Sequence, residues 1–235
     1  MTTDLSGRIA LITGASRGIG RAVALAYAKA GAHVIASART TGALEELDDE
    51  IRSAGGQATL IPLDLRDFAK IDTLGPALAE KFGRLDILVG NAGMLGTLGP
   101  LPHADAKDWQ NVMDVNLNAN FRLIRTCEPL LRASDAGRMI FTSSGLAQKP
   151  FAYWAAYCTS KAALEMMVKT YAAETETMNI RANLVDPGIV DTAMLAQAFP
   201  GGYQGHLRKP ADVVPVYLEL ASPDCVKHGE VAGLG

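Results

Sequence analysis

The segment Thr13-Gly14-Ala15-Ser16-Arg17-Gly18-Ile19-Gly20 constrains this chain more than any other. It follows the apolar run Arg8–Thr13 and opens a segment of helical period, Ile19–Ala30. A glycine-rich turn between a strand and a helix points the helix's unpaired N–H groups and positive end at whatever lies in front of it, the setting in which a dinucleotide pyrophosphate is held. In this reading Gly14 permits the tight turn, Gly18 lets backbone approach the pyrophosphate, and Gly20 allows close helix–strand packing, while Ser16, Arg17 and Ile19 complete the cradle. The bland alternative is a loop whose glycines serve only the turn.

The rest of the chain repeats the same unit. Apolar or β-branched runs at Arg8–Thr13, His33–Ser37, Ala58–Leu63, Leu85–Val89, Met139–Thr142 and Ile180–Val185 alternate with helical-period segments at Ile19–Ala30, Gly42–Ala54, Phe68–Phe82, Asp108–Leu131, Ala155–Glu176 and Pro210–Leu220. Such alternation predicts an α/β fold, a doubly wound parallel sheet of about seven strands with helices on both faces. No repeat, low-complexity tract or linker divides the 235 residues, so residues 1–235 are expected to form one domain. The irregular stretch 192–209, with Pro200, Gly201, Gly202 and Gly205 among Met194, Leu195, Phe199 and Tyr203, reads as a mobile apolar lid.

Composition narrows the function classes. Lys and Arg number 22 against 25 Asp and Glu, a net charge of −3, which lacks the basic excess of nucleic-acid-binding domains. The polar start, Met1 to Gly7, and the short apolar run broken at Gly14 predict neither a signal peptide nor a spanning helix, hence a cytoplasmic protein with no membrane partner. Cys127, Cys158 and Cys225, and His33, His103, His206 and His228, are too scattered to suggest a disulfide framework or a metal site.

Cofactor choice is read at the end of the second strand, where an acidic side chain would hold the ribose 2′-hydroxyl of NAD. Here stand Ser37-Ala38-Arg39; with no carboxylate to repel a 2′-phosphate, and with Arg39 and Arg17 to flank one, NADP(H) is expected. Two solvated arginines are the alternative. Tyr157 and Lys161, four apart, share a helix face, and taken alone the pair reads first as an ordinary amphipathic face. An ammonium beside a phenol favours phenolate, and moving a tyrosine from about 10 to about 7 takes roughly 4 kcal/mol of differential stabilisation. A tyrosine so tuned gives a proton to a carbonyl oxygen or takes one from an alcohol. Ser144, at a strand end, is placed to hold the same oxygen. Asn116 reads either as an amide fixing a water behind Lys161 or as a helix-surface residue.

Together, Thr13-Gly14-x-x-x-Gly18-x-Gly20, Asn91-Ala92-Gly93, Asn116, Ser144 and Tyr157-x-x-x-Lys161 resemble the short-chain dehydrogenase/reductase family in its compact, NADP-preferring form, over about Gly7 to Ala221. The stretch Tyr153-Trp154 to Tyr157 and the Pro210-Ala211-Asp212 lead into the last helix are similar to a group of bacterial members. The resemblance implies a Rossmann fold and a catalytic tetrad of Asn116, Ser144, Tyr157 and Lys161, with Tyr157 as acid/base and Lys161 also on the nicotinamide ribose. It implies cofactor contacts from Asp64 and Leu65 on the adenine side, from Asn91, Ala92 and Gly93, and from Pro187, Gly188, Ile189 and Thr192 at the carboxamide. Three features depart from the family pattern. Gly90 stands where an Asn is usual and is expected to loosen the strand end; the lid is short; and the sequence ends at Gly229–Gly235, before the family's usual end.

Met94, Leu95, Leu146, Phe151, Tyr153, Trp154, Met194, Phe199 and Tyr203 are candidates to line a substrate space, which suits a small apolar carbonyl or alcohol. Lys149 and His206 read as solvated loop charges, and Cys158 as a packing residue. Apolar surplus on the helices at Asp108–Leu131 and Ala155–Glu176 predicts a homodimer or homotetramer. The expected function is carbonyl–alcohol oxidoreduction with NADP(H). A sugar-nucleotide epimerase or dehydratase is disfavoured by the glycine spacing and the short chain. A catalytically silent NADP(H)-binding sensor or interaction protein is the alternative from another class; it would not need to keep all four tetrad residues.

Overall fold

A computed structural model describes residues 3–234. In chain order its elements are β1 (Ile9–Thr13), α1 (Gly18–Lys29), β2 (His33–Ala38), α2 (Thr41–Ser53), β3 (Gln57–Pro62), α3 (Phe68–Phe82), β4 (Ile87–Gly90), α4 (Ala106–Met113), α5 (Ala119–Arg132), β5 (Gly137–Thr142), α6 (Ala155–Glu174), β6 (Ile180–Asp186), α7 (Ala193–Ala198), α8 (Val214–Ala221) and β7 (Val231–Gly233). The seven strands form one parallel sheet in the order β3-β2-β1-β4-β5-β6-β7. The order reverses between β1 and β4, and at such a switch point the loops leaving the strands' carboxyl ends diverge to opposite faces and open a crevice.

Strand side chains alternate between two cores. Ala10, Ile12, Val34, Ala36, Val89 and Ile140 point to the face covered by α1, α2 and α8, with Val23, Tyr27, Leu47 and Tyr217 packed there. Leu11, Ile35, Leu88, Met139, Phe141 and Leu184 point to the face covered by α3, α5 and α6, with Ile71, Leu123 and Leu164. Because both faces are covered, β4 and β5 are buried along their whole length, which explains the unbroken apolar run of β4 and the Met139–Phe141 run of β5.

The structure departs from the sequence expectations in four places. The helix expected over Asp108–Leu131 is interrupted by a π turn, Asp114–Asn118, between α4 and α5. The stretch 192–209 is not wholly irregular, since it contains α7, and its two ends are pinned side by side by a bridge between Val190 and Arg208. The last helix begins as a 3-10 turn, Pro210–Val213. Finally, Gly90 does not loosen its strand end: a Cβ there would lie 2.3 Å from Phe141 Cδ1 and 2.6 Å from Asn120 Oδ1, so these two side chains occupy the space that a larger residue would need. β7, a three-residue edge strand paired with Leu184–Asp186, adds a seventh strand to the six apolar runs.

Candidate active site

The glycine turn is built under tight steric control. Gly14 and Gly18 have φ of +67° and +56°, a region open to glycine at little cost. A Cβ on Gly20 would lie 2.3 Å from the Gly14 carbonyl oxygen and 2.4 Å from Asn91 Nδ2, so only hydrogen fits where α1 crosses the turn. Asn91 braces this turn: its Nδ2 donates to the carbonyls of Thr13 (3.1 Å) and Gly14 (3.4 Å), and its Oδ1 accepts from Thr142 Oγ1 (3.3 Å). Thr13 Oγ1 accepts from the Asn91 and Ala92 amides, both at 3.1 Å. Thr13 opens the glycine motif, but the sequence assigns no bracing role to its hydroxyl or to that of Thr142, because a hydroxyl at a strand end is too common to signal one.

A cavity of about 750 Å³ opens at the carboxyl ends of the strands. Every candidate site residue borders it except Gly20, which packs behind the turn, and Asn116. Arg17 and Arg39 reach its rim from the start of α1 and the end of β2. Asp64 also borders it, but its carboxylate is engaged by Arg66, which donates from Nη2 (2.6 Å), Nε (3.1 Å) and its backbone N (3.0 Å). Those bonds bring its pKa down to about 2 against a smaller opposing effect of burial, with the Arg39 charge adding a lesser pull.

Beyond the turn, Ser144, Tyr157 and Lys161 come together. Ser144 leaves β5 extended, its Oγ accepting from the Leu146 amide at 3.2 Å. Tyr157 and Lys161 are buried on one face of α6. Lys161 Nζ donates to the Thr142 carbonyl at 2.7 Å and lies 5.8 Å from the centre of the Tyr157 ring. Burial brings the Lys161 pKa down to about 8. Burial also pushes the Tyr157 phenol up to about 12, partly offset by the nearby Ser144 hydroxyl. The sequence expectation of a phenol drawn toward neutrality by Lys161 is therefore reversed for these side chains alone. Desolvation is the largest influence on the phenol, which holds its proton at neutral pH.

Asn116 is fully buried rather than on a helix surface. Its Oδ1 accepts from the Met94 amide (2.8 Å), and its Nδ2 donates to the Met94 carbonyl and to Ser160 Oγ, both at 2.9 Å. Ser160 Oγ in turn donates to the Tyr157 carbonyl at 2.8 Å. The side chain thus stitches the loop after β4 to α6 instead of presenting a free amide to a water. The π turn widens the helix at this residue, as such turns do at many functional sites.

Aromatic rings wall the remaining space. Trp154 packs edge-on against Phe151 (5.6 Å between centroids) and Tyr157 (6.0 Å), and is tilted against Phe199 (6.1 Å), which meets Tyr203 at 5.1 Å. Met94, Leu146 and Met194 join them at the cavity. Leu95 and Tyr153 do not: Leu95 is buried in the protein and Tyr153 is exposed. Lys149 and His206 also lie outside the lining, as the solvated reading expected. Among the described residues no cluster of three potential metal ligands occurs, and no helix is long and apolar enough to cross a membrane.

The fold and the site define a dinucleotide-binding α/β protein with a tyrosine–lysine pair at the end of its crevice. The short chain dehydrogenase family model matches residues 8–201, and the chain belongs to that family. It is 40% identical over 223 residues to the Escherichia coli (strain K12) protein named Uncharacterized oxidoreductase YciK, covering 94% of this chain and 88% of that protein. A crystal structure of an Escherichia coli CFT073 chain complexed with NADPH superposes with a TM-score of 0.94 at 39% identity, covering 99% of this chain and 98% of the other. One from Shigella flexneri 2a str. 301, complexed with NADP, gives 0.94 at 38% identity, covering 99% of each chain.

Proposed function

We propose that this protein is an NADP(H)-dependent oxidoreductase that interconverts a carbonyl and an alcohol on a small, largely apolar substrate, with Tyr157 as acid/base. The observation that carries the reading is that one cavity is bordered both by the glycine turn with Arg17 and Arg39 and by Ser144, Tyr157 and Lys161. The residues present fit the cofactor. The space in front of α1 is kept open by glycines, β2 ends without a carboxylate, and two arginines stand where a 2′-phosphate needs charge-assisted donors. The NADP(H)-bound relatives support the same choice.

In this proposal the turn and the α1 N-terminus hold the pyrophosphate, Arg17 and Arg39 the 2′-phosphate, and Asp64 and Leu65 the adenine side. Ala92 and Gly93 line the middle, and Pro187, Gly188, Ile189 and Thr192 bound the nicotinamide end. NADPH, when bound, supplies a hydride to the carbonyl carbon. Tyr157, protonated at neutral pH, donates its proton to the carbonyl oxygen, and the Ser144 hydroxyl donates a hydrogen bond to the same oxygen. Lys161, anchored on Thr142, places positive charge where phenolate forms, and Asn116 holds the Met94 loop and α6 in register around it. The aromatic wall excludes water and favours an apolar substrate body. A cytoplasmic homo-oligomer belongs to the same proposal, supported by exposed Phe121 and Met166 on α5 and α6 and by three free cysteines.

The test is NADPH consumption at neutral pH over a panel of apolar ketones, aldehydes and quinones, with Tyr157→Phe in parallel. Turnover that falls by about 10²–10⁴-fold in the variant is the expected result. Equal consumption by both proteins would overturn the role of Tyr157, and NADPH binding without turnover on any compound would favour the sensor.

A further inference from the structure

Glu165 is a buried carboxylate that the proposed chemistry leaves unused. It lies on α6 one turn beyond Lys161 and two beyond Tyr157, with its side chain only 6% exposed. Burying a carboxylate is costly unless its oxygens are bonded, and here both are. Oε1 accepts from Ser143 Oγ at 2.6 Å; Oε2 accepts from Lys169 Nζ at 3.2 Å and from Gln148 Nε2 at 3.4 Å. Ser143 and Gln148 flank the turn that carries Ser144, one on either side. Bonds within the turn, Ala147 N to the Ser144 carbonyl (2.9 Å) and Leu146 N to Ser144 Oγ (3.2 Å), fix its internal shape. They do not attach it to α6. The Ser143 amide is tied to the Val185 carbonyl at 2.7 Å, which anchors the turn to the sheet instead.

We infer that Glu165 is a positioning residue that clamps both ends of the 143–148 turn to α6 and thereby sets the separation of Ser144 from Tyr157. This rests on the oxidoreductase reading only in that turnover is one of its three readouts. Glutamine keeps one acceptor oxygen for Lys169 and Gln148, and its NH2 group can donate to the Ser143 hydroxyl, which accepts as well as donates; what it loses is the charge paired with Lys169.

The experiment compares Glu165→Ala and Glu165→Gln, each alone and with Ser144→Ala, by kcat on the best carbonyl of the panel, by the Kd for NADPH, and by amide hydrogen exchange across residues 143–148. A displacement of about an ångström in a reacting constellation costs up to about 10²-fold. Glu165→Ala is therefore expected to lower kcat by about 10–100-fold with the NADPH Kd changed less than about twofold, Glu165→Gln to fall between it and wild type, and exchange at 145–148 to quicken while β5 stays protected. In the Ser144→Ala background the same change should cost less than about twofold, because the group it positions is gone. An equal loss in both backgrounds, or unaltered exchange in the turn, overturns the clamp. Absence of wild-type turnover on every carbonyl overturns the oxidoreductase reading instead, and exchange alone then decides the clamp.

Discussion

Lys161 Nζ donates a 2.7 Å hydrogen bond to the carbonyl oxygen of Thr142, two residues before Ser144 on the strand that delivers it. One ammonium group thus ties the catalytic helix to the end of β5, and it does so while almost wholly buried. Burial brings its pKa to about 8 from an ordinary 10.5, so between those values the unfolded chain holds a proton that the folded one has released. Unfolding free energy therefore gains with pH across that window, by about 3 kcal/mol from this group. Lys161→Met lacks this dependence. Its melting temperature relative to wild type is expected to be higher at pH 7 than at pH 10 by roughly 6–12 °C, while turnover is lost. A difference that does not change with pH would show that the lysine is not desolvated as described.

Arg39 borders the cavity at the end of a strand that carries no carboxylate. Charge-assisted hydrogen bonds contribute about 1.5–3 kcal/mol. Arg39→Ala should weaken NADPH binding by about 10–100-fold and leave NADH within about twofold, and added salt should narrow the wild-type preference. Isothermal titration with both cofactors checks this; an unchanged affinity ratio would remove Arg39 from the site.

Two glycines make a matched pair. A Cβ on Gly20 would lie 2.3 Å from the Gly14 carbonyl, whereas one on Gly42, in the first turn of α2, meets nothing within 4 Å. Gly20→Ala is expected to destabilise the protein by about 1–3 kcal/mol and to disturb cofactor binding. Gly42→Ala should stabilise it by a few tenths up to about 1 kcal/mol. Urea unfolding of the two variants decides it, and similar values for both would mean that the turn can relax.

Tyr153 is the only non-glycine among the described residues with positive φ, +74°, and the residue is 62% exposed. Its carbonyl accepts from the Gly99 amide at 3.0 Å, which holds the strained residue just before Trp154. Left-handed backbone costs about 1–2 kcal/mol for such a residue, and glycine returns part of that gain through unfolded-state entropy. Tyr153→Gly should raise stability by about 0.5–1 kcal/mol, read by chemical denaturation. A loss of that size would mean that the tyrosine ring contributes packing which its exposure hides.

Most of the sheet was legible because fully covered parallel strands read as short apolar runs and their helices keep a 3.6 period. β7 was not legible, since three residues, Val231–Gly233, at a sheet edge carry no period. The π turn was hidden for the opposite reason: the helical pattern runs unbroken through Asp114–Asn118, and nothing in it marks the widened turn that holds the buried Asn116. Tyr157, Lys161, Ser144 and the glycine turn were visible as spacings. Their supports, Thr13, Thr142, Ser160 and Glu165, were not, because hydroxyls and carboxylates acquire such roles only through contacts distant in sequence.

The bridge between Val190 and Arg208 brings the two ends of the α7 segment side by side, with Asp191 N bonded to the Arg208 carbonyl at 2.8 Å and Arg208 N to the Ile189 carbonyl at 3.0 Å. A loop fastened at its neck behaves as an interchangeable cassette. Lengthening it costs only a slowly growing closure entropy, and none of that change need pass to the sheet below. Phe199 and Tyr203 lie inside the cassette, whereas Trp154 and the glycine turn lie outside it. Inheritance can therefore rewrite which molecules this fold admits while leaving the glycine turn beside β1 as it is.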